Sequence, residues 1–176
     1  MDAFKHILVA IDFGAPSDRA LDSALGLAKQ FGSKLTLLHA YGTSVSGYGY
    51  EAGFMWPIDE LASAAQKGLD AMLAKTKERY ANIEGLLVCG EPWREIIRTA
   101  VASGADLIVM GTHGRRGFSH ALLGSVAEKV VRLSPIPVLT VLTREDRQAR
   151  AKAFAETATP SEDEGVWPKP RPLIRL

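Results

Sequence analysis

The chain has 176 residues, 47% of them hydrophobic and 23% charged, with a formal net charge of +1. That length suffices for one well-buried α/β domain and scarcely for two. So even a charge balance excludes an overall field for nucleic acid or an anionic membrane surface. The single cysteine, Cys89, excludes an internal disulfide, so the fold asks for no oxidising compartment.

At the amino terminus, MDAFKHILVAIDFG carries an apolar run that is short and bounded by charges, which does not suit a signal-peptide core. No segment approaches the uninterrupted apolar length that spans a bilayer. The expectation is a soluble, cytoplasmic protein. His6–Ile11 is nearly continuous and rich in branched residues, as in a strand buried on both faces of a parallel sheet. Pro16-Ser17-Asp18 then opens a helix with Leu21, Ala24, Leu25, Ala28 and Phe31 on one face, stopped by Gly32.

The alternation repeats along the chain. Leu35–Ala40 is a second strand, and residues 57–80 form a long helix with Leu61, Ala65, Leu69, Met72 and Leu73 on its inner side. Leu86–Cys89 is a third strand, followed by a helix with Pro92 in its first turn and Ile96, Ile97 and Ala100 facing inward. Leu107–Met110 is a fourth strand, a helix runs from about Gly124 to Leu133, and residues 136–142 are the last strand. This rhythm predicts right-handed crossovers and an open, mostly parallel five-stranded sheet with helices on both faces, a Rossmann-like α/β fold.

Two segments interrupt it. Residues 41–56, YGTSVSGYGYEAGFMW, read as a long loop whose aromatics pack on the domain's own rim, with a lid over a ligand as the alternative. After a domain of residues 1–143, the tail 144–176 begins charged and alanine-rich, as if to extend as a helix, and turns solvated, then proline-rich. Val166, Trp167, Leu173, Ile174 and Leu176 suggest that its end docks on this subunit, a second copy or another protein, with a disordered appendage as the alternative.

In an open parallel sheet, ligands bind beyond the carboxyl ends of the strands where strand order reverses. The stretch GTHGRRGFSHALLGS, residues 111–125, directly follows the fourth strand. Its glycines permit positive backbone angles and close approach of N–H groups to an anion. Gly124-Ser125 opens the next helix, whose first N–H groups lack intrahelical partners and carry partial positive charge. Phosphate binding there by backbone and by Ser125, and mere turning and helix capping, both suit these residue types. No lysine precedes Ser125, so the loop is not a P-loop, and Asp12-Phe13-Gly14 stands where a dinucleotide fingerprint would.

The spacing Gly111-x2-Gly114-x9-Gly124-Ser125 resembles the ATP-binding motif of the universal stress protein family. The similarity extends through HILVAID, LTLLHA, VCGEPWREIIRTA, DLIVMGTHGRRG and GSVAEKVVRLSPIPVLTV, about residues 4–142. The resemblance implies that Gly111, Gly114, Gly124 and Ser125, with the Val126 amide, hold the phosphates of ATP. It implies that Asp12 faces the nucleoside, that backbone at His39 and Ala40 lies by the adenine, and that Met110 lies near the ribose or the base of the loop. The family often has a serine where this chain has Gly14, which weakens the carry-over at Asp12. Arg115, and less so Arg116, suit phosphate oxygens.

His113 and His120 lack a cysteine or carboxylate framework for a metal, and His6 and His39 read as structural strand residues. Asp12 is placed to hold Mg²⁺ through water. No evident catalytic base, nucleophile elbow or Cys/His dyad accompanies it. The expected function is therefore an adenine-nucleotide-binding regulatory or stress-response module whose ATP occupancy sets conformation or partner affinity. A slow ATPase or autophosphorylating enzyme, and a scaffold of the same fold without nucleotide, are the rivals. The last strand is apolar on both faces, and an exposed edge of that kind invites pairing with a copy of itself. A homodimer through residues 136–142 is also usual in the resembling family.

Overall fold

A computed structural model describes residues 4–42, 58–112 and 123–157. The bulk of the 41–56 loop, His113, Gly114, Arg115, Arg116, His120 and the tail beyond residue 157 lie outside the described residues. The chain divides into two units, Met1–Thr143 and Arg144–Leu176. In the first, the elements are β1 (His6–Ala10), α1 (Ala15–Phe31), β2 (Lys34–Tyr41), α2 (Ile58–Lys77), β3 (Ile83–Cys89), α3 (Pro92–Ala102), β4 (Leu107–Gly111), α4 (Ser125–Leu133) and β5 (Val138–Val141). In the second, the alanine-rich stretch forms α5 (Arg144–Thr157), acidic in its first turn.

All strand pairs are parallel, and the five strands stand in the order β3-β2-β1-β4-β5. Side chains of successive strand residues point to opposite faces, so each apolar strand feeds two cores. Ile7, Val9, Ile11, Leu35, Leu37, Leu107 and Val109 pack with α1 and with Leu69 of α2. Leu8, Ala10, Leu38, Ile108 and Met110 pack on the other face with Ile96 and Ala100 of α3 and Ala127 and Val130 of α4. Full burial of one such Leu or Ile is worth roughly 1.5–3 kcal/mol relative to exposure. This two-sided burial is why β1 and β4 read as continuous apolar runs.

Local signals set the helix ends. Gly32 takes the left-handed conformation at φ 70°, and its N–H donates to the Ala28 carbonyl to close α1. Pro92 opens α3, where a missing N–H costs no intrahelical bond.

Four expectations need correction. β3 begins at Ile83 rather than Leu86, because the polar and glycine positions before it have partners. The Glu84 carboxylate receives the Thr36 hydroxyl at 2.9 Å and the Lys34 ammonium at 2.8 Å. A Cβ at Gly85 would stand 3.3 Å from Leu69 and Leu73, so glycine lets α2 lie close to the strand. β5 is confined to Val138–Val141, since Pro137 has no N–H for the ladder.

Leu61 is 39% exposed, not inward. Twenty helical residues span about 30 Å against about 23 Å for the seven of β3, so the strand does not cover the whole helix, and Leu61 lies in the first turn of α2. Phe31, expected on the inner face of α1, is 42% exposed and meets Phe4 edge-on at 5.7 Å. It lies in the last turn of α1, past the end of the packed sheet.

Candidate functional site

The strand order reverses at β1, which lies between β2 and β4. The chain leaves β1 for α1 on one face of the sheet and leaves β4 for α4 on the other, and this opens a crevice between the two strand ends. Ala10 and Met110 are register partners. Asp12 and Thr112, each two residues further on, are therefore brought to the same sheet end.

On the β1 side, Asp12 is half-buried and its Oδ1 accepts the Gly14 N–H at 3.0 Å. Gly14 is the N-cap of α1 in extended backbone, φ −99° and ψ 161°, and supplies no side-chain cap. The Ser17 N–H and hydroxyl both donate to the Gly14 carbonyl instead, at 2.9 and 2.8 Å. A serine at position 14 would fit that backbone, so its absence removes a cap without altering the turn.

On the β4 side, Gly111 does not adopt a left-handed conformation, contrary to the general expectation for these glycines. Its small size is required by packing: a Cβ there would stand 2.8 Å from the Pro16 Cβ and 3.0 Å from the Pro16 carbonyl carbon. The first turn of α1 thus presses directly on the end of β4.

Thr112 is 1% exposed. Its N–H donates to the Val141 carbonyl at 3.2 Å, and its own carbonyl accepts the Gly124 N–H at 2.8 Å. That second bond ties the two ends of the 113–123 connection together and sets the start of α4 beside the end of β4.

Gly124 is the N-cap of α4, extended at φ −67° and ψ 155°, and no side chain caps the helix. The capping role open to Ser125 is therefore excluded: it is the first helical residue, one position past the cap, and is exposed. The first backbone bond of α4 runs from the Glu128 N–H to the Gly124 carbonyl. The amides of Ser125, Val126 and Ala127 precede it and have no intrahelical acceptor, which is the geometry that receives an anion. Val126 rests its side chain on the core that includes Ala127 and Val130.

Ala40 is half-buried near the end of β2, while His39 is buried at 9% exposure with its Nδ1 2.8 Å from the Ile11 carbonyl oxygen. Met110 is 5% exposed, its side chain committed to the α3/α4 core, so it offers the crevice backbone rather than thioether. Tyr41 and Cys89 are register partners at the neighbouring strand ends. The Tyr41 hydroxyl lies above its ordinary value, through desolvation first and then the Cys89 thiol beside it. Among the described residues, no three His, Cys, Asp or Glu side chains are grouped to hold a metal ion.

Two contacts at the crevice were not legible in the sequence. Pro16 signalled a helix start but not its contact with Gly111, which joins elements distant in the chain. Thr112 had one faint signal, its place immediately after the first motif glycine.

The model of the Universal stress protein family matches residues 3–141. Universal stress protein YxiE of Bacillus subtilis strain 168 is 36% identical over 146 residues, covering 78% of this chain and 99% of that protein. Among solved structures, universal stress protein UspA from Lactobacillus plantarum superposes with a TM-score of 0.69 at 25% identity, covering 80% of this chain and 99% of that one. A universal stress protein in complex with cAMP superposes with a TM-score of 0.58 at 27% identity, covering 80% and 98%. The matched residues span the whole parallel sheet and both sides of the crevice. The chain belongs to the universal stress protein family.

Proposed function

We propose that this chain is a regulatory nucleotide-binding protein that holds ATP, with or without Mg²⁺, in the crevice between β1 and β4. In this reading the phosphates rest on the amides of Ser125 and Val126 and on the backbone of Gly111, Gly114 and Gly124, with the Ser125 hydroxyl and Arg115 as further donors. Asp12 faces the nucleoside, and Mg²⁺ would be held through water on its carboxylate. The Ala40 backbone lies by the base and Met110 by the ribose. Residues 1–143 form the binding domain, in the cytoplasm, and occupancy sets its conformation or its affinity for a partner. The tail 144–176 supplies a docking end.

The observation that carries the reading is the Thr112–Gly124 bond, which places a helix N-terminus at the topological switch point of the sheet. The cAMP complex of a structurally similar family member supports it. Denaturing the purified protein and resolving the supernatant by chromatography is expected to release an adenine nucleotide. Stripped protein is expected to bind ATP in calorimetry, and Asp12→Ala and Ser125→Ala to bind it more weakly. Absence of any adenine nucleotide together with no ATP affinity would overturn the proposal. Fast product release that is lost in Asp12→Ala would replace the binder by an enzyme.

A further inference from the structure

Among the described residues, Phe13 is the one non-glycine residue with left-handed backbone, at φ 61°. Bulky L-residues rarely adopt this conformation, and it persists where the surroundings over-determine it, commonly at a functional site. Two neighbours hold the Phe13 ring. Its centroid lies 4.4 Å from that of His39, with the planes inclined at 43°. On α2, a Cβ added to Gly68 would stand 3.2 Å from the ring Cζ and 3.3 Å from Cε1. The ring therefore lies against the helix where glycine leaves room for it.

His39 is itself oriented by β1. A carbonyl oxygen only accepts, so the His39 Nδ1–H donates to Ile11 at 2.8 Å. His39 of β2, itself bonded to the end of β1, and Gly68 of α2 thus both meet one side chain, which follows Asp12 directly. The left-handed residue turns the chain so that the Gly14 N–H reaches back to the Asp12 Oδ1 at 3.0 Å.

We propose that Phe13 is a positioning residue of the nucleotide site: its ring, clamped between His39 and Gly68, holds the turn that aims the Asp12 carboxylate. The inference rests on the nucleotide-binding reading and adds to it a route by which the packing of α2 tunes affinity. Gly68 acts through Phe13, and Phe13 acts through Asp12.

The test is a set of double-substitution cycles read by calorimetric ATP affinity and thermal unfolding on full-length protein stripped of nucleotide. Phe13→Gly accepts the left-handed turn without the clamp, and is expected to fold and bind ATP about tenfold more weakly, the loss that corresponds to one decade in Kd. In an Asp12→Ala background the same change is expected to cost nothing further. Gly68→Ala crowds the ring and is expected to weaken ATP binding severalfold in the unsubstituted protein but not in Phe13→Gly. Alanine also favours the helix itself, so in the Phe13→Gly background it raises the melting temperature.

Equal affinity of Phe13→Gly and the unsubstituted protein would overturn the proposal, as would an undiminished Phe13→Gly effect in the Asp12→Ala background. Should Phe13→Gly fail to fold, Gly68→Ala carries the test, and unchanged ATP affinity there overturns the proposal. Failure of the nucleotide reading is separately visible, because the unsubstituted protein would then bind no ATP before any substitution is made.

Discussion

Gly111 shows how a glycine proposed for a ligand site also answers a packing demand. Its lack of a side chain leaves β4's end open to the crevice, and a Cβ there would stand 2.8 Å from the Pro16 Cβ. Gly111→Ala is therefore expected to destabilise the nucleotide-free protein by about 1–3 kcal/mol, as overpacking against backbone generally does. Urea denaturation of stripped protein checks this. A loss of ATP affinity with unchanged stability would assign Gly111 to the ligand alone. The residue types at 111, 124 and 125 were legible in the sequence as a candidate anion site. The packing role of Gly111 was not, because it depends on a proline 95 positions earlier in the chain.

Between elements, a chain of polar groups crosses β1, β2 and β3 near the amino ends of the strands. The Nε2 of His6 lies 2.8 Å from the Thr36 Oγ1 and its Nδ1 3.2 Å from the Ser103 carbonyl, just past α3. The Thr36 hydroxyl donates a hydrogen bond to Glu84, whose carboxylate also meets Lys34. Asp106 joins the same region by accepting the N–H groups of Lys5 and His6. The Lys34 hydrogen bond, first, then the Thr36 hydroxyl and the charges of Lys34 and His6 hold Glu84 below its ordinary value of 4.5, against desolvation. A carboxylate depressed on folding stabilises the fold above its unfolded value, and that contribution is lost as pH falls through the folded value. Lys34→Met is thus expected to lower stability near neutrality by about 0.2–1 kcal/mol, the range for a screened, half-exposed pair. The difference should shrink as pH drops below 4.5. Denaturation at neutral pH and near pH 3 measures it, and a difference independent of pH would remove Glu84 from the explanation.

At the scale of the molecule, β5 is an edge strand, paired with β4 on one side. Leu139 within it is 38% exposed, and Val131 and Leu133 on the preceding α4 are 45% and 49% exposed. An apolar edge of this kind suits pairing with a second copy, and the proposed homodimer is expected to form through it. Light scattering at micromolar concentration should give a dimer mass, and Leu139→Arg a monomer. A monomeric mass for the unsubstituted chain would dismiss the interface. No helix among the described residues is long and apolar enough to cross a membrane.

The strands, their parallel arrangement and most of each inward helix face follow from local pattern, because burial on both faces demands continuous apolar runs and burial on one demands helical spacing. Strand order does not follow from local pattern. It places β1 beside β4, and so brings Asp12 to the same sheet end as Thr112. Nor does the closure of the 113–123 connection by Thr112 and Gly124, the demotion of Ser125 from cap to first helical residue, or the clamp on Phe13 by His39 and Gly68. Each depends on contacts between residues far apart in the chain, whose proximity exists only after the sheet has assembled and the helices have packed on it.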